Sequence, residues 1–311
     1  MTSGPRSLMH SLAALCALLT AASAGAQDVI RTADFTVRGL KASDFPRTKP
    51  LADGIWAYEQ IDPTKWTVTV NNLIVTTNDG VVIVEGQGTV ENVKRLIADV
   101  RRLTLQPITY VVIGSEHGDH IGGIAAFPQT ATFLAHPNSK ATVERRLGRA
   151  VEAVADRRTL TLGGREVDIR FLGRAHTGGD LQVYLPREKI LFMSEVFVNH
   201  VFPSMANAFP SEWVETLKKA EQIDPVWYVP AHGFVDAAPV LKEEERAFRG
   251  ALERIIAEGK RLHDAGTDLE NASASARLEP YDAWTRAANN AFAAFKRVYM
   301  ELNGELAHVR D

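Results

Sequence analysis

The chain has 311 residues, 45% of them hydrophobic, with a formal net charge of −3 and a single cysteine, Cys16. That length supports a full hydrophobic core without covalent staples, and slight acidity with no basic block argues against nucleic acid as a partner. Cys16 falls in a segment expected to be removed, so the remaining chain has no disulfide and no thiolate nucleophile or metal ligand.

Residues 1–26 read as a secretory signal peptide. Arg6 is the only charged residue there, residues 8–22 form an apolar run too short to span a bilayer, and Ala24-Gly25-Ala26 supplies a small-x-small cleavage pattern. The expected location is therefore outside the cytoplasm, in the periplasm. Residues 27–311 read as one domain with a helical extension from about residue 240, and no later stretch is apolar for long enough to cross a membrane.

After a polar lead-in with Pro46 and Pro50, short strands are expected at 54–59 and 67–70. Strands at 72–77 and 81–84 flank Asn78-Asp79-Gly80, where Asp-Gly supplies the positive φ of a hairpin turn. Glu85-Gly86-Gln87-Gly88 closes that hairpin. Val90, Val93, Leu96, Ile97, Val100 and Leu103 then recur at helical spacing until Pro107. The β-branched run at 108–113 reads as a buried strand. Beyond it come a strand at 131–135, a helix at 139–155 and strands at 159–162, 167–172, 181–185, 190–193 and 226–229. Helices are expected from Ser211, Val240 and Tyr281, the last with Trp284, Phe292, Phe295 and Tyr299 in the core. Strand runs alternating with helices predict a layered α/β class.

The 108–113 strand empties into Ser115-Glu116-His117-Gly118-Asp119-His120. Imidazole and carboxylate are donors that Zn²⁺ takes three or four at a time. Gly118 is expected to bend the backbone, sending His117 to one side and Asp119 and His120 to another, which suits two adjacent metal positions or one metal beside a catalytic group. Three more donors stand on loops after strands, where catalytic groups usually sit: His176 in His-Thr-Gly-Gly-Asp180, Glu195 after Ser194, and His232 in Ala-His-Gly233. The set is His117, Asp119, His120, His176, Glu195 and His232. Such donors also accept iron or manganese. The apolar and aromatic segment 199–210 is expected either to wall a pocket for a small-molecule substrate, with Asn199, His200 and Phe202 as its contacts, or to form a lid packed against the core. His136, His263 and His308 read as structural or surface residues.

In this order the motifs resemble the metallo-β-lactamase superfamily, from about Gly54 to His232. The resemblance implies a four-layer αββα sandwich with metals at one edge of its two sheets, hydrolysing lactams, thioesters, lactones or phosphate esters. His117 and His176 match two of the three imidazoles of the family's first metal position, and Asp119, His120 and His232 match the second. Glu195 stands where many members have an aspartate shared by both, Glu85 where an aspartate often lies near the site, and Ser115 in place of the first histidine. The resemblance therefore implies one tight zinc on Asp119, His120 and His232, with Glu195 a fourth ligand or a partner to bound water, and a second position weakened by Ser115. Asp119 or His117, the latter paired with His176, would orient or deprotonate the attacking water. The alternative from another class is a non-hydrolytic metal-binding accessory protein of a periplasmic system.

Overall fold

A computed structural model describes Met1 and residues 29–61 and 68–308. The expected signal peptide lies, apart from Met1, outside the described residues. The first half of the chain builds one seven-stranded sheet: β1 (Arg47–Ala52), β2 (Ile55–Ile61), β3 (Thr69–Thr77), β4 (Gly80–Val84), then β5 (Ile108–Val112), β6 (Thr132–Ala135) and β7 (Glu152–Ala153). Neighbours pair antiparallel as far as β4 and parallel from β4 to β7. The parallel crossovers carry α1 (Val90–Leu103), the single turn α2 (Gly118–Ile121) and α3 (Pro137–Leu147).

The second sheet comprises β8 (Arg157–Leu162), β9 (Arg165–Arg170), β10 (Gln182–Leu185), β11 (Ile190–Phe192) and β12 (Trp227–Val229), in the order β12-β11-β10-β9-β8. The chain crosses from β11 to its parallel partner β12 through α4 (Pro210–Gln222). Three helices end it: α5 (Ala238–Asp264), α6 (Leu269–Ser275) and α7 (Ala287–Leu302). Among the described residues no helix is long and apolar enough to cross a membrane.

The layering follows from strand alternation, since successive side chains leave a strand on opposite faces. Val82 and Val84 of β4 join Val167, Ile169, Val183 and Phe192 in the core between the sheets. Val81 and Ile83 point the other way, onto Val93, Leu96 and Val100 of α1. Each such side chain, wholly buried, contributes about 1.5–3 kcal/mol. The α5 helix lies on β12 of the second sheet, with α4 and α7 packed against α5, and Trp213, Leu217, Phe248, Leu252 and Phe295 are buried in this layer. The fold is a four-layer αββα sandwich.

Several expectations are corrected. Pro46 and Pro50 border and enter β1, an edge strand, where a missing N–H costs no ladder bond. The strands expected at 67–70 and 72–77 are the single strand β3; Asn71 and Asn72 in its middle are buried, and their amides donate to the carbonyls of Pro230 and Gly233, and of Glu85 and Gly86. The helix expected at 139–155 starts at Pro137 and stops at Leu147, where Gly148 takes the left-handed conformation (φ +78°) that caps helices. The helix expected from Tyr281 begins only at Ala287, and Phe292 is 44% exposed rather than in the core.

Candidate metal centre

Glu85, His117, His176, Glu195 and His232 all follow strands that run toward one edge of the sandwich. The backbone turns at Gly118, and His117 falls in one group of donors while Asp119 and His120 fall in another. Gly118 opens α2 with open space around its α-carbon, and His117 is the N-cap, in extended conformation. The change from extended to helical backbone between His117 and Asp119 is what separates their side chains.

Two donor groups result, and Glu195 belongs to both. One is Asp119, His120, Glu195 and His232; the other is His117, His176 and Glu195, the ligand atoms of each lying within 4.8 Å of one another. Glu195 Oε1 is 3.2 Å from His232 Nε2, while Oε2 is 2.9 Å from His117 Nδ1 and 3.2 Å from His176 Nε2. His232 Nε2 is also 3.3 Å from Asp119 Oδ2 and from His120 Nε2. Ser115 adds no ligand; its hydroxyl donates to Glu195 Oε2 at 2.6 Å.

The support around the donors fixes what they can accept. His232 Nδ1 donates to the Thr69 carbonyl at 2.6 Å, so in the neutral ring the Nε2 lone pair faces Asp119, His120 and Glu195. His120 Nδ1 and Glu85 Oε2, both buried, stand 3.5 Å apart with no other partner among the described residues. Glu85 is in turn held by the Ser194 hydroxyl at 2.5 Å. Glu85 and Ser194 have φ of +69° and +51°, the left-handed region that non-glycine residues rarely occupy. Lone pairs and carboxylate oxygens thus converge with few hydrogens between them, a donor set suited to a cation.

Burial opposes charge on His117, Asp119, His120, Glu195 and His232, yet their mutual attraction prevails. For His117, burial is outweighed by the charge and hydrogen bond of Glu195, with help from Asp180 and Asp119, and its pKa rises to about 9. For His232, hydrogen bonds to Asp119 and Glu195 overcome burial and likewise raise it to about 9. His120 is raised in the same way, chiefly by Glu85 and Asp119. Burial pushes Asp119 and Glu195 up, but the surrounding imidazoles hold both carboxylates down. Without a metal, protons on the imidazoles balance the carboxylates, and a divalent cation would replace them.

Above the donors opens a cavity of ≈ 550 Å³, reached by His117, Asp119, His176, Glu195 and His232. Val68, Val70, Val198, Val201 and Phe202 form its apolar wall. Of the three substrate contacts expected from the sequence, only Phe202 lines it. Asn199 turns away, its amide donating to the Phe234 carbonyl at 2.8 Å, and its backbone N–H donates to the His232 carbonyl. Its carbonyl lies 2.0 Å from where a Cβ on Gly233 would stand, so that position, with φ +79°, requires glycine. His200, with φ +54°, points at Glu244, 2.6 Å from Nε2, and packs against Trp284. Sequence reasoning missed Gln87, Asn92, Arg146, Arg286 and Asn290, which also line the cavity; no local motif marks them.

Fold and donor set together define a metallohydrolase-type centre. The family described as the metallo-beta-lactamase superfamily matches residues 66–232, and the chain belongs to it. It is 28% identical to a metallo-beta-lactamase type 2 of Bacillus sp. (strain 170) over 196 residues, covering 60% of this chain and 75% of that one. It is 23% identical over 180 residues to the 2,4-dinitroanisole O-demethylase subunit alpha of Nocardioides sp. (strain JS1661), 54% of each chain. A metallo-beta-lactamase from Pontibacter korlensis shares the fold with a TM-score of 0.58 at 20% identity, covering 66% of this chain and 99% of that one. Members of the superfamily are metal-dependent hydrolases, and this chain carries His/Asp/Glu groups able to bind metal.

Proposed function

We propose that the protein is an exported zinc-dependent hydrolase acting on a small ester, lactone, thioester or lactam. The observation that carries this reading is the sharing of Glu195 between the two donor groups at the floor of an apolar cavity. Asp119, His120, Glu195 and His232 would hold the tight ion, and His117 and His176 with Glu195 a weaker one. An ion there supplies Lewis acidity, acidifying water toward neutral pH and polarising a carbonyl oxygen. Asp119 and His117 both line the cavity; Asp119, or the His117–His176 pair where it holds no ion, would orient the attacking water and accept its proton. His176, 3.0 Å from His117, and the Asn207 amide, 3.5 Å from His117 Nε2, set the orientation of that ring. The apolar wall excludes bulk water and packs against the acyl group. Export rests on the sequence of residues 1–26.

Relatives of comparable identity bear names as different as β-lactamase and O-demethylase, so family membership leaves the leaving group open. The test is metal content of the dialysed protein by mass spectrometry, followed by a panel of ester, lactone, thioester and β-lactam substrates. Metal-dependent turnover is expected, abolished in both His117→Ala and Asp119→Ala, with only the second losing most of the metal. Wild-type rates in both variants would refute the mechanism. Absence of metal and of turnover, with a co-purifying partner, would favour a non-hydrolytic accessory protein.

A further inference from the structure

We propose that Arg38, on the N-terminal segment that precedes the family's matched residues, is a positioning residue for His232. It fixes the loop that carries this donor, acting through Asp236 and Asn199. This rests on the donor groups being a metal centre, and it adds to that centre a hold that does not depend on which bond is cleaved.

The loop 230–236 is gripped from two sides. On the inner side the His232 ring donates to the Thr69 carbonyl, and the Asn71 amide donates to the carbonyls of Pro230 at 3.0 Å and Gly233 at 2.8 Å. On the outer side the Val235 N–H donates to Glu59 Oε1 at 2.7 Å, and Lys49 Nζ donates to the Val235 carbonyl at 2.6 Å. Arg38 completes this side. Its Nη1 and Nη2 donate to the two carboxylate oxygens of Asp236 at 2.6 and 2.8 Å, and its guanidinium lies 4.1 Å from the centre of the Phe234 ring. A two-bond fork fixes direction as well as distance. Both side chains are 12% exposed, so salt screens the pair little.

Asp236 passes that hold to the donor. Its Oδ2 also receives the Asn199 amide at 3.3 Å, the same amide that donates to the Phe234 carbonyl. The Asn199 N–H donates to the His232 carbonyl at 2.8 Å, beside the parallel bridge of Val198 with His232. Hydrogen bonds therefore link Arg38 to Asp236, Asp236 to Asn199, and Asn199 to the backbone of His232. Asn199 turns away from the cavity because its side chain is the middle link.

Arg38 is itself fixed. Its Nε donates to the Thr32 carbonyl at 2.9 Å, and Phe35 and Phe45 join Phe234 in a small apolar cluster. Upstream, Arg31 pairs with Glu243 and Glu244 of α5. Residues 31–45 thus form a strap tied to α5 by Arg31 and to the His232 loop by Arg38. Arg38 precedes the matched residues 66–232 and Asp236 follows them, so the pair is this chain's own addition to the matched segment.

The experiment loads zinc onto metal-free wild type, Arg38→Ala, Arg38→Lys and Arg157→Ala in competition with a chromophoric chelator, well below the Tm of each. Visible spectra of the cobalt forms are recorded alongside. Arg157 makes a similar fork on buried Asp168, between β8 and β9, and does not line the cavity, so its loss reports stability alone. Arg38→Ala is expected to bind zinc about tenfold more weakly, as when a partner holding a ligating histidine is removed, and to shift the cobalt bands. Arg38→Lys, which keeps the charge without the fork, should recover part of both. Arg157→Ala should lower Tm while keeping wild-type zinc affinity and cobalt bands. Wild-type zinc affinity in Arg38→Ala, or an equal loss in Arg157→Ala, overturns the proposal. If Arg38→Ala does not fold, Arg38→Lys against Arg157→Lys makes the same comparison. A wild type that takes up no zinc is no metal centre, and the positioning role falls with it. Zinc uptake without turnover of any substrate refutes the hydrolase alone, and the affinity of Arg38→Ala still decides the role of Arg38.

Discussion

Ser115 and Glu195, eighty positions apart, are joined by a hydrogen bond of 2.6 Å to Oε2, the oxygen that His117 and His176 also approach. A hydroxyl therefore occupies, on that oxygen, the side of the second donor group from which a further imidazole could reach a metal. Ser115→His should raise bound zinc from about one toward two per chain, measured by mass spectrometry after dialysis. Unchanged stoichiometry would show that Ser115 does not limit the second position.

Glu195 is the one donor common to both groups. Glu195→Gln, nearly isosteric, should lower occupancy at both positions, whereas Asp119→Asn should empty chiefly one and His176→Ala chiefly the other. Cobalt substitution followed by visible absorption separates the two positions, and independent losses in all three variants would contradict the shared carboxylate.

Glu85 touches no cavity space yet faces His120 Nδ1 at 3.5 Å from a fully buried position. Carboxylates behind a ligating imidazole fix its orientation, and their loss typically weakens metal about 10–100-fold. Glu85→Gln should show that loss in competition with a chelator, with Tm of the metal-free protein little changed. An equal fall in Tm would mark Glu85 as merely structural.

Far from the site, Glu245 on α5 is fully buried, and neither carboxylate oxygen has a hydrogen-bond partner among the described residues. Burial, reinforced by Glu221 and opposed by Arg249 and Arg246, pushes its pKa up to about 8. The folded state then holds a proton that the unfolded chain releases near pH 4.5, so stability is full below that pH and falls as pH rises through about 8. The unfolding free energy of wild type should drop between pH 4.5 and about 8 by an amount on the order of a few kcal/mol and level off above that, and Glu245→Gln should flatten that slope. Parallel profiles for the two proteins would rule this out.

What the sequence reveals of the centre depends on chain direction. Each of His117, His176, Glu195 and His232 follows a run of apolar strand residues, so their arrival at one edge is legible from strand order alone. The pairing of Ser115 with Glu195 is not, because it depends on the stagger between the two sheets. Asn199 and His200 misled for a similar reason: the segment is apolar enough to suggest a wall, but the bridge at Val198 and the left-handed turn at His200 aim both side chains inward. Gly148 shows the limit for helices, since a charged run beyond it has helical composition while the glycine ends the helix at Leu147.

The α7 helix braces the segment 202–211, which leads from the cavity wall into α4. Asn290 holds Phe202, Arg297 donates to the carbonyls of Asn207 and Ala208, and Glu301 receives the Ser211 hydroxyl. The donors lie within the family's matched segment and these braces beyond it, so the helix that steadies the cavity wall can change in sequence without altering a single donor.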